Sequence, residues 1–170
     1  TDDDLLRAIE STGKPIIAST GMSTPDEIAH AVGILLGTRI AEWAVPPAIT
    51  ICHCNSTYPC QPENLNLRCL TWLKQTYPWA TLGYSGHEVG LAPSLAAAAL
   101  GAQYIERHFT LDRASWGTDQ AASVEPGGFR RLVKDIRLIE RALGDGIKRV
   151  YDEEVPVMRK LRRFREVAPK

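Results

Sequence analysis

His87 and His108 each close an apolar, strand-like stretch, "ATLGYSGH" and "QYIERH". A neutral imidazole nitrogen ligates zinc, iron, manganese and similar divalent ions. Parallel neighbouring strands lie about 4.8 Å apart, so two rings at the same end of such strands can meet at one ion. Two histidines leave coordination positions open to water and substrate oxygens, which is the catalytic pattern rather than the structural one. The competing reading puts one ring in the core and the other on the surface. Asp112, Arg113 and Asp119 follow in "DRASWGTDQ". A carboxylate there could complete a metal site, orient a water or bind sugar hydroxyls, and the alternative is a charged surface loop. Gly117 favours a close approach to a ligand at that point. The other strand-like stretches also end on polar groups: Ser19 and Thr20, then Asn55, Ser56, Thr57 and Tyr58, then Ser85 and Glu88, then Thr110. Donors repeated at every strand end point to a ligand, whereas any one of them alone reads as capping or turn chemistry. His53 has the opposite parity to Cys52 and Cys54 and is expected to pack or support. His30 falls mid-helix and is expected to face solvent or serve structure.

Short apolar runs alternate with longer amphipathic ones, and this pattern must position those residues. "TDDDLLRAIESTGK" reads as a helix with acids at its positive N-terminal end. "PIIAST" is a buried strand. "STPDEIAHAVGILLG" opens on Thr24 as N-cap, Pro25 in the first turn and Glu27 closing a capping box. "TRIAEWAVPPA" reads as a loop or short irregular element because of its paired prolines. "AITICHCNS", "ATLGYS" and "QYIERHFTL" are further strands. "PENLNLRCLTWLKQTYP", "GLAPSLAAAALG" and "PGGFRRLVKDIRLIERALG" are the helices after them. Phe129, Leu132, Val133, Ile136, Ile139 and Leu143 recur at helical spacing in the last. Four consecutive βα units imply a parallel α/β sheet with right-handed crossovers. A doubly wound sheet and part of a (β/α)8 TIM barrel both fit, and a whole barrel needs about 250 residues. No G-x-G-x-x-G follows any strand, so the dinucleotide fingerprint is absent. Residues 1–150 form the α/β unit, and residues 151–170 read as a helical or linker tail, with Pro156 starting or breaking a helix.

Composition narrows the partners. The chain has 170 residues, with 20 Lys plus Arg against 20 Asp plus Glu. A balanced charge gives no argument for a nucleic-acid or membrane partner, and neither is expected; the basic stretch "MRKLRRFREVAPK" reads as a solvated helix face. Cys52 and Cys54 share a strand face, and Cys60 and Cys69 add no zinc-type pair. With no signal peptide and no bilayer-spanning run, reduced thiols in the cytoplasm are expected.

"GKPIIASTGMSTPDEI", "CNSTYPCQPENLNL", "GYSGHEVGLAPSLAAAALGA", "IERHFTLDRASWGTDQAASVEP" and "FRRLVKDIRLIERALGDG" resemble, in order, the sialic acid synthases. These are the phosphoenolpyruvate-dependent nonulosonate synthases. The resemblance runs from about Lys14 to Tyr151 and implies a (β/α)8 barrel, here its C-terminal half. It implies condensation of phosphoenolpyruvate with open-chain N-acetylmannosamine or a related sugar, giving a nine-carbon α-keto acid and phosphate. Mannose, a sugar phosphate or a diacetamido sugar are alternative acceptors, and a non-catalytic half-barrel is the reading outside enzymes. The resemblance also implies His87 and His108 as ligands of Mn²⁺ or Mg²⁺, with His87 and Asp119 at the chemistry. It implies Ser19, Ser56 and Ser85 on phosphoenolpyruvate, and Tyr58 near the sugar. Three departures bear on the acceptor: "SGH" stands where the family often has "SDH", "GTD" where it often has "GPD", and Ser56 where it often has asparagine. The family's first four βα units, with their glutamate and lysines, and its antifreeze-like domain have no counterpart here. The chain is therefore expected to form a homodimer or pair with the missing half-barrel, and to have little activity alone.

Overall fold

Short β-branched runs make the sheet because their side chains are buried on the helix-covered face, where Val, Ile and Thr pack well. The computed structural model describes residues 2–37 and 48–163. Strands β1 (Ile16–Ser19), β2 (Ile49–Cys54), β3 (Thr81–Gly86) and β4 (Tyr104–Arg107) are all parallel. Their spatial order is β1-β2-β3-β4. An order that never reverses is that of a (β/α)8 barrel wall, whereas a doubly wound sheet changes direction at its switch point. The four strands form a half-barrel with helices on its outside.

Side-chain parity separates the two faces. Ile49, Ile51, Leu82 and Tyr84 point outward and pack with Ile28, Val32, Leu35, Leu70, Leu73 and Ala97 of the helices. The inner face carries Ile17, Ser19, Thr50, Cys52, Cys54, Gly83, Ser85, Tyr104 and Glu106, as the strand registers require. Ile17 is 56% exposed. Among the described residues no strand covers the outer edges of β1 and β4.

The helices are α1 (Asp3–Ser11), α2 (Pro25–Leu36), α3 (Cys69–Thr76), α4 (Ala92–Ala99), α5 (Pro126–Leu143) and α6 (Val155–Leu161). Asp2 caps α1 by accepting from the Leu5 amide at 3.0 Å. At α2 the expected capping box is present: Thr24 accepts from the Glu27 amide, and Glu27 accepts from the Thr24 amide at 2.7 Å. His30 ties α2 to α1, its Nε2 lying 2.9 Å from Asp3. Pro156 lies in the first turn of α6, where a missing N–H costs nothing.

Three elements differ from the sequence reading. α3 begins at Cys69, not Pro62, because Pro62–Asn64 form a separate 3-10 turn and Asn66 takes a left-handed backbone (φ 43°) between them. Asn is among the few residues that enter that region readily. β4 ends at Arg107, before His108, since its partner β3 ends at Gly86 in the same register. Along α5 only Leu132 of the expected stripe is buried, while Phe129, Val133 and Leu143 remain partly exposed; among the described residues α4 is the element packed most closely beside that helix. Of the expected loop over 38–48, residues 38–47 lie outside the described residues.

Candidate active site

The strands' carboxyl ends gather the polar groups at one mouth. Gly86 pairs with Arg107, so the next residues, His87 and His108, leave neighbouring strands side by side. Their ring centres are 5.1 Å apart and their planes cross at 87°. Tyr58, from the loop after β2, stacks against both, at 4.1 Å from His87 and 5.2 Å from His108. That loop is docked by the Cys60 amide, which donates to the His87 carbonyl at 2.9 Å. Asn55 braces it further: its side chain donates to Asn64 O and accepts from the Thr57 amide and hydroxyl.

Each ring is oriented by a partner on Nδ1. His87 Nδ1 donates to the Asn55 carbonyl at 2.7 Å. A carbonyl only accepts, so in the neutral ring the proton sits on Nδ1 and the lone pair on Nε2. His108 Nδ1 faces Asp119 Oδ2 at 3.4 Å, which favours the same tautomer. Histidines that ligate metals are commonly held this way through their other nitrogen. Among the described residues no three His, Cys, Asp or Glu side chains group as a metal cage. With Nδ1 of each ring engaged, the atoms these two histidines would offer a divalent ion are the Nε2 nitrogens, and the ring centres lie 5.1 Å apart. The donor set fits a hard or borderline divalent ion completed by oxygen ligands.

The second cluster surrounds Gly21. A β-carbon there would lie 2.2 Å from Ser56 Oγ, 3.2 Å from Cys54 Sγ and 3.6 Å from Ser19 Oγ. With glycine at 21, two hydroxyls and a thiol approach bare backbone, and any side chain there would have to displace the Ser56 hydroxyl. Ser19 Oγ also accepts from the Gly21 amide at 3.3 Å. Cys54 joins the two clusters, with Sγ 3.8 Å from both Ser56 Oγ and His87 Nδ1. Ser85 is buried on the inner face, level in register with Cys54 and Glu106. Beside Ser56 opens a cleft of about 870 Å³ between the loops after β1 and β2, lined also by Thr20, Ser23, Thr24 and Asn55. It does not reach either site histidine.

The structure thus brings His87, His108, Tyr58 and Asp119 together, and Ser19 with Ser56 beside them. His53 faces outward and donates to Leu65 O at 2.7 Å, so it supports the α3 approach and stays out of the site. Partial burial and the nearby Cys54, Asp119 and Glu106 raise the Tyr58 hydroxyl above the usual phenol range, keeping it a donor at neutral pH. Burial, with Glu106 and Cys54 close by, pushes the Cys52 thiol up to about 12.

Sequence reasoning missed Arg107 and Gly21. The signal for Arg107 was its parity: it shares the helix-facing side with Ile105, and a charge there must find a buried partner. Gly86 has a physical account as well. A β-carbon at 86 would lie 2.5 Å from Glu88 Oε2 and 2.7 Å from Tyr84 Cε1. The space of a side chain at 86 is taken by the Glu88 carboxylate.

Comparison with known proteins places this mouth in a family. The family model described as NeuB family matches residues 1–148. Human N-acetylneuraminate-9-phosphate synthase is 40% identical over 156 residues, which cover 92% of this chain and 42% of that protein. N,N'-diacetyllegionaminic acid synthase of Campylobacter jejuni is 41% identical over 149 residues, covering 88% of this chain and 43% of that protein. The crystal structure of N-acetylneuraminic acid (sialic acid) synthetase from Leptospira borgpetersenii in complex with citrate superposes with a TM-score of 0.78 at 33% identity, covering 95% of this chain and 55% of that one. A truncated 3-deoxy-D-arabino-heptulosonate 7-phosphate synthase from Thermotoga maritima, at 19% identity and a TM-score of 0.66, shares the fold. The chain spans less than half the length of these curated relatives. The family match over residues 1–148, together with identities of 40% and more across nearly the whole chain, shows that it belongs to the NeuB family.

Proposed function

We propose that this chain forms part of a synthase that condenses phosphoenolpyruvate with an open-chain N-acetylated hexose. The products are a nine-carbon sialic-acid-type α-keto acid and phosphate. The observation that carries this reading is the pair of imidazoles, each oriented through Nδ1, presenting Nε2 at the strand mouth beside a hydroxyl cluster. Relatives named for sialic, legionaminic and pseudaminic acid synthesis support the reaction class and leave the acceptor open among N-acetylmannosamine, its phosphate and diacetamido sugars.

His87 and His108 would hold Mn²⁺ or Mg²⁺, which when bound supplies Lewis acidity toward the acceptor aldehyde. Asn55 and Asp119 orient the two rings through Nδ1–H. The Ser19 and Ser56 hydroxyls, with the backbone at Gly21 and Ser85 on the inner wall, hold the phosphate and carboxylate of phosphoenolpyruvate by hydrogen bonds. Tyr58 lies against both imidazoles and offers its hydroxyl to the sugar. Carbon–carbon bond formation joins C3 of phosphoenolpyruvate to the aldehyde carbon. Water then adds at C2 and phosphate departs. Four free thiols suit the reducing cytoplasm, and no helix among the described residues is long and apolar enough to cross a membrane.

The exposed Ile17 on the inner face, and the outer edges of β1 and β4 that no strand pairs among the described residues, favour assembly, by pairing with a complementary half-barrel or through a homodimer. Phosphate release is to be measured with phosphoenolpyruvate, Mn²⁺ and a panel of N-acetylmannosamine, its 6-phosphate and a 2,4-diacetamido hexose. The full-length synthase of which this chain is proposed to be a part is expected to release phosphate only when an acceptor is present, and the 170-residue chain alone to be nearly inactive. No turnover of any acceptor by folded full-length protein overturns the enzymatic reading in favour of a non-catalytic half-barrel. Brisk turnover by the 170-residue chain as a monomer overturns its need for a partner.

Gly21→Ala tests the hydroxyl cluster. Its β-carbon displaces Ser56 Oγ, so KM for phosphoenolpyruvate is expected to rise about tenfold, the loss of one hydrogen bond to a charged group. An unchanged KM removes the cluster from substrate binding.

A further inference from the structure

Arg107 and Glu88 are both 1% exposed at their side chains and form an ion pair at 3.0 Å. Each stands next to a site histidine in the chain, on the opposite face of the strand end. Arg107 NH1 also donates to Gly90 O at 2.8 Å and to Ser94 Oγ at 2.9 Å. NH2 donates to Glu88 O at 2.7 Å and to Ala122 O at 3.1 Å. The Glu88 carboxylate accepts in addition from Tyr84 OH at 2.9 Å and Ser94 Oγ at 2.7 Å.

One guanidinium therefore joins the loop that carries His87, the N-terminal part of α4 and the loop that carries Asp119. Ala122 lies close behind Asp119, whose carbonyl accepts from Ser123 Oγ at 2.9 Å. The Val124 amide donates to the His108 carbonyl at 2.8 Å and closes the same loop. A bare buried ion pair is weak evidence for any role, since apolar residues can often replace it. Here three of the guanidinium's acceptors are backbone carbonyls of the two loops that bear His87 and Asp119.

We infer that Glu88 and Arg107 form a positioning clasp behind the histidine pair, setting the spacing and orientation of His87, His108 and Asp119 and hence the site's affinity for a divalent cation. Neither side chain reaches the inner face, so both act through the rings and do not touch substrate. The inference rests on the metal reading of the two histidines.

Arg107→Lys separates clasp from charge. The ammonium keeps the countercharge for Glu88 but is a single point and cannot span the NH1 and NH2 positions together. Mn²⁺ binding is to be measured on the full-length protein by the electron paramagnetic resonance of the free ion, beside wild type, His87→Ala and His108→Ala. The expected result for Arg107→Lys is a native circular dichroism spectrum and a Mn²⁺ affinity lowered about 10- to 100-fold, the range for groups that orient metal ligands. Its kcat should fall more than its KM for phosphoenolpyruvate, because the Gly21 cluster is not clasped. If Arg107→Lys does not fold, Ser94→Ala decides. It removes one bond from each member and keeps the ion pair, and a loss of Mn²⁺ affinity is again expected. Loss of Mn²⁺ in the histidine variants with unchanged affinity in the folded clasp variant overturns the clasp alone. Wild-type affinity in both histidine variants overturns the metal reading and the clasp with it.

Discussion

On the proposed metal reading, His87→Ala in the full-length synthase is expected to lose Mn²⁺ binding and to lower phosphate release more than about 100-fold. The bound is set by groups that merely orient metal ligands, whose removal already costs about 10- to 100-fold. His87 and His108 are the two imidazoles paired at the mouth among the described residues, so the loss of His87 would leave one to hold an ion. His108→Ala is expected to behave alike, with the added release of Asp119 from its 3.4 Å contact. His53→Ala provides the contrast, because that ring faces outward and bonds Leu65 O. It should retain Mn²⁺ affinity and lose only stability. Equal Mn²⁺ binding by wild type and His87→Ala, measured by titration calorimetry, would end the ligand assignment.

Glu88→Ala is expected to destabilise the fold by about 3–5 kcal/mol, the cost of leaving a buried charge without its partner. Arg107 is enclosed by Gly90, Ser94, Ala122 and the Glu88 backbone, with no route to solvent for its charge. Burial already lowers its pKa and the Glu88 carboxylate opposes that. Removing the carboxylate also strands the hydroxyls of Tyr84 and Ser94, which both donate to it. Replacing both members, as in Glu88→Met with Arg107→Met, should cost less than Glu88→Ala alone, since no unpaired charge remains. Urea unfolding of the single and double variants measures this. A loss below about 1 kcal/mol for Glu88→Ala, the value of an exposed pair, would show that water reaches Arg107.

The sequence by itself determined the elements and the residues worth watching. Period-two and period-3.6 patterns placed all four strands and the helices, and the Thr24–Glu27 capping box is visible as a spacing. Those signals are local, so a few neighbouring residues suffice to carry them. Parity along β2 separated His53 from Cys52 and Cys54 for the same reason. His87 and His108 stood out as successive strand ends, and the motifs around them carried the family resemblance. What the pattern left open was spatial order. A barrel wall and a doubly wound sheet share the same alternation of elements and differ only in which strand lies beside which.

Tertiary structure alone decided how the mouth is assembled. The tautomer of His87 depends on the carbonyl of Asn55, 32 residues away in the chain. The space beside Gly21 is filled by a hydroxyl on the next strand's loop, and that beside Gly86 by the Glu88 carboxylate and the Tyr84 ring. Arg107 was unremarkable among 20 basic residues until burial required that its charge be paired, and its partners come from the loops after both β3 and β4. Each of these is a contact between distant segments made exacting by exclusion of water. A linear pattern carries only distances along the chain, and the free energy of a buried polar group depends on distances across it.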